Sequence, residues 1–244
     1  MSLPDDARSQ AGRRAVDKRA VPPPAFGCRP GRRPLTGRLV ALEPCDANRH
    51  APGLFEVGHT GQGGQNIWRY LPYGPFEDAV EMAGWLRGCA GSADPAFFAL
   101  RDLASGSLAG QASIMEVRPA AGIAEIGHIW IGEAFQNSGL ATEALYLMMS
   151  DILDQAAYRR LEWRCDAANQ ASRQAALRLG FRYEGTFYNH NIAKGMNRDT
   201  AWYALVCEDW AAVKANFQLW LAPENFDAEG QQRTSLGAMN RALW

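Results

Sequence analysis

The sequence predicts a mixed α+β fold: a central, mostly antiparallel sheet with one parallel strand pair, flanked by helices. Apolar–polar alternation typical of strands recurs between segments of helical period. A long segment of helical period, residues 140–153, separates two strand-like segments, so those two strands are expected to be parallel neighbours. The 244 residues, with 47% hydrophobic and 21% charged side chains, suffice for one sizeable domain.

The first half of the chain supplies most of the predicted sheet. Strands are expected at 38–43, 97–102, 108–117 and 123–132. Helices are expected at 46–57 and 76–89, separated by a Gly-rich loop at 58–64. Prolines at positions 44 and 119 end the first and third of these strands.

The second half begins with the long helix, whose apolar residues recur at Leu140, Ala144, Leu145, Met148 and Ile152. The elements expected after it are a strand at 161–165, a short helix at 169–180, and a hairpin of 182–193 with 198–206. Asn169 can cap the short helix and Gly180 can end it. The domain is expected to span residues 35–210.

Both ends of the chain differ from this domain. Residues 1–34 are rich in Pro and Gly, and the first 40 residues hold nine Lys/Arg against three Asp/Glu, although the whole chain has a net charge of −1. This basic arm is expected to be mobile. A solvated tail without a role is favoured over contact with nucleic acid or the ribosome. The extension at 211–244 carries Val213, Phe217 and Trp220 at helical spacing, so it is expected to pack on the body or on a second subunit, as in a homodimer.

Cysteine spacing and hydropathy exclude several classes of protein. The five cysteines are scattered without a Cys-x-x-Cys pair, so neither a disulfide framework nor a metal site is expected, and a reducing cytoplasm fits. No apolar run reaches membrane-spanning length, so no membrane partner is expected. The N-terminal residues lack the apolar core of a signal peptide.

A small-residue turn between the strand at 123–132 and the long helix is the strongest candidate for a ligand site. It reads Gln-x-x-Gly-x-Ala over residues 136–141, and the backbone amides at a helix start attract phosphate oxygens. It matches neither the P-loop nor the dinucleotide-binding pattern. The alternative is a helix start without a ligand. The candidate cofactor-binding residues are Gln136, Asn137, Ser138, Gly139, Leu140, Ala141 and Thr142.

Further motifs carry a resemblance to a known family. Asn169-Gln170-Ala171-Ser172 is followed by Leu179-Gly180-Phe181, and a later stretch reads Lys194-Gly195-Met196-Asn197-Arg198-Asp199. Together with the turn, and with the segments at 70–76 and 220–226, these motifs resemble the GNAT N-acetyltransferases, in particular their RimJ/RimL-like branch. The resemblance extends from about residue 35 to about residue 236.

The resemblance implies a fold, a co-substrate and a reaction. It implies the GNAT fold, in which the parallel strand pair splays apart, and acetyl-CoA as co-substrate without a metal. Pantetheine would pair with the backbone of Ile129, Trp130 and Ile131, and Asn169 would order pantetheine or cap its helix. The expected activity is transfer of an acetyl group to a primary amine, either a protein N-terminus or a small molecule. Succinyl or another acyl donor stays open. The alternative is a non-catalytic coenzyme-A-binding or protein-interaction module.

Three residues are candidates for proton transfer. Glu125 occupies the position where several GNAT enzymes carry their general base, although a structural salt bridge with an arginine explains it equally well. His128 is the second candidate base, although a hydrogen-bonded structural histidine is the favoured interpretation. On a flat strand it would face away from Glu125, and a bulge would bring the two together. Ser172 is the candidate acid for the departing thiolate, with helix capping as the alternative. The tyrosine that many GNAT enzymes use as the acid is replaced by Ala176.

The acceptor is expected to bind between an aromatic segment and the late hairpin. For two adjacent opposite charges, Arg198 and Asp199, a structural pair and a role at the acceptor site are both open, and the structural pair is favoured. The candidate acceptor-binding residues are Trp68, Tyr70, Tyr73, Tyr188 and His190. For the first three, aromatic packing is the default interpretation.

Overall fold

The computed structural model describes residues 29–61 and 64–244. Within them the chain forms eight strands and seven helices. The strands are β1 Leu35–Thr36, β2 Val40–Pro44, β3 Ala96–Asp102, β4 Leu108–Arg118, β5 Ile123–Ile131, β6 Arg160–Asp166, β7 Arg182–Ala193 and β8 Met196–Val206. The helices are α1 Ala47–His59, α2 Gly64–Ile67, α3 Ala79–Gly91, α4 Gly139–Ser150, α5 Gln170–Arg178, α6 Cys207–Leu221 and α7 Leu236–Arg241.

All eight strands form one sheet in the order β1-β2-β3-β4-β5-β6-β8-β7. β5 and β6 are parallel, because the chain crosses from one to the other through α4, and the other neighbouring pairs are antiparallel. The predicted mixed sheet with one parallel pair around the 136–141 turn is therefore confirmed.

The sheet separates two hydrophobic cores, and strand alternation assigns residues to them. In β3, Phe98 and Leu100 lie in the core that faces α4 and α6, whereas Phe97 and Ala99 lie in the core that faces α1 and α3. This is the two-residue period of an extended strand. The α1/α3 core is rich in aromatic rings, and it lies behind the cleft described below.

Several predicted boundaries differ from the observed ones. α1 continues to His59 and ends at Thr60, so the loop predicted at 58–64 begins later. The predicted helix 140–153 consists of α4 and a π-helical turn, Asp151–Gln155, in which the Ala156 amide donates to the Asp151 carbonyl. β1 was not predicted, because two residues are too short to display alternation.

The predicted arm, 1–34, lies mostly outside the described residues, as does Cys28. Its last six residues contact the domain. Arg29 pairs with Asp94 at 2.6 Å, and Arg33 pairs with the buried carboxylate of Asp151, which also accepts the Gly31 amide at 3.1 Å. This segment is therefore attached to the domain by hydrogen bonds and ion pairs.

The C-terminal extension packs on the body of the same chain. α6 begins at Cys207, so the boundary predicted at residue 210 falls inside this helix. Its buried face consists of Trp210, Val213, Phe217 and Trp220. α7 is attached through the Asn240 amide, which donates to the Arg178 carbonyl at 2.9 Å.

Candidate active site

A β-bulge in β5 shapes the centre of the site. Gln111 of β4 pairs with Trp130, but Ser113 pairs with Gly127, so His128 and Ile129 together stand opposite one residue of β4. His128 adopts a left-handed conformation with φ +51°. Such a bulge inserts one extra residue and reverses the faces to which the following side chains point.

The burial pattern along β5 shows this reversal. Before the bulge, Ala124 and Ile126 lie in the α4/α6 core; after it, Trp130 lies in the opposite core. Glu125 and His128 therefore face the same side of the sheet. The bulge considered from the sequence is present, and it joins the two candidate bases in one cleft.

β5 and β6 separate immediately beyond Glu125. Their parallel pairing covers Ile123–Glu125 with Arg160–Glu162, and from there β6 continues beside β8. Within the described residues, the β6-facing backbone of Ile129 and Ile131 has no strand partner. This is the notch in which pantetheine is predicted to pair. The Trp130 side chain points away from it and donates its indole N–H to Gln111 Oε1 at 3.1 Å.

The notch opens into a cleft of about 610 Å³ between the sheet, the start of α5, the α2 segment and the β7–β8 hairpin. Its lining combines backbone and polar side chains. The lining residues that bear on the chemistry are Tyr70, Glu116, Glu125, His128, Ile129, Trp163, Arg164, Cys165, Asp166, Asn169, Ser172, His190 and Arg198.

The turn before α4 leaves the helix amides open. Asn137 is left-handed, with φ +58°. The Ser138 hydroxyl donates to the Phe135 carbonyl at 2.7 Å, and Gln136 Nε2 donates to the Ile131 carbonyl at 3.0 Å. Ser138 occupies the N-cap position, yet no side-chain cap is made there by the described residues. The first amides of α4 thus remain available for an anion.

Some predicted cofactor residues take part only through their backbone. The Leu140 side chain is buried in the core, and the buried Thr142 hydroxyl accepts hydrogen bonds from Arg178 at 3.1 Å. At Gly139, an added Cβ would lie 3.0 Å from Leu39 Cδ1. A side chain at position 139 would therefore press against Leu39. This contact explains the glycine without any direct clash between a side chain and a bound phosphate.

Glu125 is buried and ion-paired with Arg164, whose guanidinium also contacts Glu116 at 3.2 Å. The Arg164 guanidinium lies 4.9 Å from the ring of Trp202, which fixes its orientation. Burial raises the pKa of Glu125 to about 7, although Arg164 acts in the opposite direction. The salt bridge considered from the sequence exists, and the same carboxylate lines the cleft with a pKa suited to a general base.

His128 is held among aromatic rings. Its ring centroid lies 5.5 Å from that of Tyr73 and 5.0 Å from that of Phe97. Burial, aided by the charge of Arg198, lowers the pKa of His128 to about 4, so the imidazole is neutral at pH 7. Its Nδ1 is buried and has no hydrogen-bond partner in the described part of the protein.

Ser172 and Asn169 divide two roles at the start of α5. Asn169 is the cap, because its Oδ1 accepts the Ser172 amide at 3.1 Å. The Ser172 hydroxyl instead accepts the Trp163 indole N–H at 3.0 Å and is hydrogen-bonded to the Cys165 thiol. Capping thus explains Asn169 and not the Ser172 hydroxyl, which faces the cleft.

The aromatic segment contributes one of its three predicted residues to the cleft. Tyr70 lines it and donates its hydroxyl to the Ala168 carbonyl at 3.2 Å. Trp68 is fully buried and donates its indole N–H to the Gly58 carbonyl at 3.1 Å, and Tyr73 stacks behind His128. Packing in the α1/α3 core therefore takes these two rings away from the cleft wall.

The hairpin also places its predicted residues differently. His190 lines the cleft, with Nδ1 3.0 Å from Thr200 Oγ1. Tyr188 is 78% exposed and lies outside the lining, because the irregular register between Phe187 and Asn191 lets it point to solvent. The favoured pairing of Arg198 with Asp199 is wrong: Asp199 accepts the Asn189 amide at 2.7 Å and Asn197 Nδ2 at 3.1 Å.

Lys194 fastens the hairpin over the cleft. Its ammonium group donates to the backbone carbonyls of Trp68 at 2.8 Å and Gly74 at 2.6 Å. The hairpin tip and the aromatic segment are thereby joined, and the joined pair forms the outer wall of the cleft.

The described residues, 29–61 and 64–244, contain no group of three His, Cys, Asp or Glu side chains arranged to hold a metal ion. In the same ranges, no helix combines the length and apolarity that a membrane crossing requires.

Comparison with known proteins identifies the class of this chain. The profile described as "Acetyltransferase (GNAT) domain" matches residues 40–182, which is more than half of the sequence. The protein belongs to the GNAT acetyltransferase family. A GCN5-related N-acetyltransferase from Brucella melitensis is 42% identical, with a TM-score of 0.84 over 86% of this chain and 95% of that one.

Curated relatives confirm the resemblance to the RimJ/RimL-like branch. The ribosomal-protein-serine acetyltransferase of Escherichia coli (strain K12) is 30% identical over 101 residues, 41% of this chain and 56% of that protein. YdaF of Bacillus subtilis (strain 168) is 29% identical over 112 residues, 46% of this chain and 61% of that protein. The chain thus spans less than two thirds of either relative. Microcin C7 self immunity acetyltransferase MccE, solved with acetyl-CoA and AMP, shares the fold at 21% identity and a TM-score of 0.62 over 70% of this chain and 93% of that one.

Proposed function

We propose that this protein is an N-acetyltransferase that moves an acetyl group from acetyl-CoA to a primary amine in a ternary complex. One observation carries the proposal: a single cleft joins the open strand edge of β5 to the side of the sheet on which Glu125 and His128 lie. The free amides of α4 lie beyond the short turn, residues 132–138, that follows this strand. Membership of the GNAT family, and a protein of the same fold solved with acetyl-CoA, support it.

The residues of the α4 turn fit the pyrophosphate of coenzyme A. The amides of Gly139, Leu140 and Ala141 lie in the first helical turn, where backbone N–H groups lack helical partners and the helix dipole is positive. Asn137 makes the sharp bend that exposes them. The unpaired strand edge at Ile129 and Ile131 would pair with pantetheine, which would place the thioester near Glu125; at Ile131 the carbonyl already accepts Gln136 Nε2.

Acetyl-CoA supplies a thioester: the amine nitrogen forms a bond to its carbonyl carbon and the carbon–sulfur bond breaks. The attacking amine must first lose a proton. Glu125 accepts it, directly or through a water, because its carboxylate lines the cleft and its pKa of about 7 allows ionisation near neutral pH. His128, with a pKa of about 4, is neutral at pH 7 and is a weaker base than Glu125.

The departing thiolate needs a proton donor. The Ser172 hydroxyl oxygen accepts the Trp163 N–H, and its proton, which contacts the Cys165 thiol, would turn to the sulfur of coenzyme A in the complex. The N-terminus of α5 adds a positive dipole that stabilises developing negative charge. Ser172 therefore protonates the sulfur in this proposal.

Calorimetric titration with acetyl-CoA and coenzyme A, followed by thiol release over a panel of amines, tests the proposal. Binding of both and turnover of at least one amine are expected. Absence of binding at millimolar acetyl-CoA would contradict the proposal. Binding without thiol release from any amine would favour the non-catalytic coenzyme-A-binding module.

A further inference from the structure

The charged residues of the cleft show an imbalance. Its carboxylates all have partners: Glu125 and Glu116 pair with Arg164, and Asp166 accepts the Ala168 amide at 2.8 Å. Among the cleft arginines, Arg164 is the one that these carboxylates neutralise.

Arg198 also lines the cleft, and none of the described residues is a counter-ion for it. No described residue makes a hydrogen bond or ion pair with its guanidinium, and its Nε is buried without an acceptor. The adjacent Asp199, the expected partner, is occupied by Asn189 and Asn197. The strand therefore presents an unneutralised cation to the cleft.

A buried donor on a cation is costly when it lacks an acceptor, and native structures rarely leave one unsatisfied. The guanidinium is a planar fork of five N–H donors that stays charged at every physiological pH. Its geometry matches a carboxylate, which can accept two parallel hydrogen bonds from it.

The position of Arg198 relates this cation to the acceptor. Its charge acts on His128, and His190 and Tyr70 line the same cleft. The anionic partner would therefore lie on the amine substrate, a few bonds from the nitrogen that faces Glu125.

We propose that Arg198 binds a carboxylate of the acceptor, so that the preferred substrate is a primary amine that carries a carboxylate nearby. This inference rests on the proposed acetyltransferase function and deepens it. Two sources offer the same chemistry: a small amino acid, or an acidic residue that follows a protein N-terminus.

Two acceptor pairs, each differing in one charge, test the assignment. The small-molecule pair is 4-aminobutanoate and 4-aminobutanamide; the peptide pair is Ser-Asp-Ala-Ala-amide and Ser-Asn-Ala-Ala-amide. Binding is measured by NMR in the presence of coenzyme A, and kcat/KM by thiol release. The variants are Arg198→Gln, Arg198→Lys, and Arg87→Gln, which removes the same charge from the exposed face of α3.

The wild type is expected to favour the carboxylate member of at least one pair by roughly ten- to a hundredfold, the strength of a charge-assisted hydrogen bond. Arg198→Gln should abolish this preference, Arg198→Lys should retain part of it, and Arg87→Gln should keep it whole. The pair that shows the preference identifies the source. Equal binding within both pairs, or an unchanged preference in Arg198→Gln, overturns the assignment.

An equal loss of kcat for charged and neutral acceptors in Arg198→Gln would also overturn it, because the charge would then act on the thioester. Failure of the proposed function has a different signature. In that case coenzyme A does not bind to the wild type, whereas failure of the Arg198 assignment leaves cofactor binding and turnover of the neutral amines intact.

Discussion

The two ends of the proposed site are built in different ways. At the proposed coenzyme A end, the turn at 136–142, which lies outside the cleft lining, offers backbone amides, and the side chains of Leu140 and Thr142 are turned inward. At the proposed acceptor end, which is the cleft itself, the chemistry belongs to side chains from separate strands, Glu125 of β5, Arg164 of β6 and Arg198 of β8. A backbone site tolerates changes of side chain as long as the turn is kept, whereas a side-chain site changes with each substitution.

Because of this difference, variants at the two ends should change different quantities, either turnover or cofactor affinity. Substitutions at the acceptor end should lower turnover and leave cofactor affinity intact. Substitutions in the turn should do the reverse, and only when they move the backbone.

The largest effect is expected for Glu125→Gln. An amide cannot accept the proton from the amine, so kcat/KM at pH 8 should fall by about a hundredfold, a typical loss for a general base. Wild-type activity should decline as the pH falls through about 7, because the carboxylate is protonated there, and the variant should lack this step. The measurement is the pH profile of thiol release beside a calorimetric Kd for coenzyme A.

Glu162→Gln is the matched control for this variant. Glu162 is a buried glutamate on the neighbouring strand, paired with Arg118 and with Arg160 at 2.7 Å, and it lies outside the cleft lining. Its variant should keep the pH step but move it to lower pH, because the charge of Glu162 helps to raise the pKa of Glu125. Loss of activity that is equal in both variants would indicate damage to the ion-pair network and not loss of a base.

Ser172→Ala should lower kcat by about ten- to a hundredfold without changing the affinity for coenzyme A, because the hydrogen bond to sulfur strengthens only as charge develops. The comparison variant is Ser113→Ala, since the buried Ser113 hydroxyl donates to the Gly127 carbonyl at 3.1 Å and does not line the cleft. Steady-state kinetics with saturating amine measure kcat for both variants. An unaltered kcat in Ser172→Ala would remove the serine from the chemistry.

Gly139→Val should weaken acetyl-CoA binding by about tenfold, because its side chain would press on Leu39 and shift the first turn of α4. Gly88→Val is the control: Gly88 lies in α3, and an added Cβ there meets nothing within 4 Å. The affinity for acetyl-CoA is measured by calorimetry on both variants. A loss in Gly139→Val alone indicates a local shift at the turn, and an equal loss in both indicates a general cost of valine in a helix. Equal affinities for wild type and Gly139→Val would contradict the backbone site.

The smallest effect is expected for Asn169→Ala, which removes the cap of α5 and should cost about 1 kcal/mol of folding free energy, or roughly 2–4 °C in Tm. Ser235→Ala removes the equivalent cap of α7, where the Ala238 amide donates to the Ser235 hydroxyl at 3.1 Å. Thermal melts should show similar losses. If coenzyme A affinity falls only in Asn169→Ala, this residue also orders the cofactor.

Local features of the site could be predicted from the sequence, as its backbone end illustrates. The turn, the long helix and the Asn169 cap are local features, and each was located from a few consecutive residues. The expected fold followed because helices and strands alternate in recognisable order. The ends of α1 and α4 were less accurate, because they depend on contacts such as the one between Asp151 and the 29–34 segment.

Contacts between strands were harder to predict. Arg164 was not singled out, although the register that sets Glu125 opposite Glu162 on parallel strands places residue 164 within reach. The sequence does indicate the position of the bulge. Apolar residues fall at 124 and 126 and then at 129 and 131, so the apolar–polar alternation changes phase once. The favoured pairing of Arg198 with Asp199 is absent because neighbouring residues of a strand point to opposite faces of the sheet.

The bond between Lys194 and the two carbonyls has a consequence for how this enzyme class diversifies. Lys194 donates to the backbone carbonyls of Trp68 and Gly74, so these hydrogen bonds do not depend on which side chains lie between the two residues. Substitutions at residues 69–72 would therefore leave both hydrogen bonds of Lys194 in place, whereas Tyr73 is fixed by its packing behind His128. Single substitutions in this wall of the cleft can therefore change acceptor specificity while the hydrogen bonds of Lys194 keep the cleft closed.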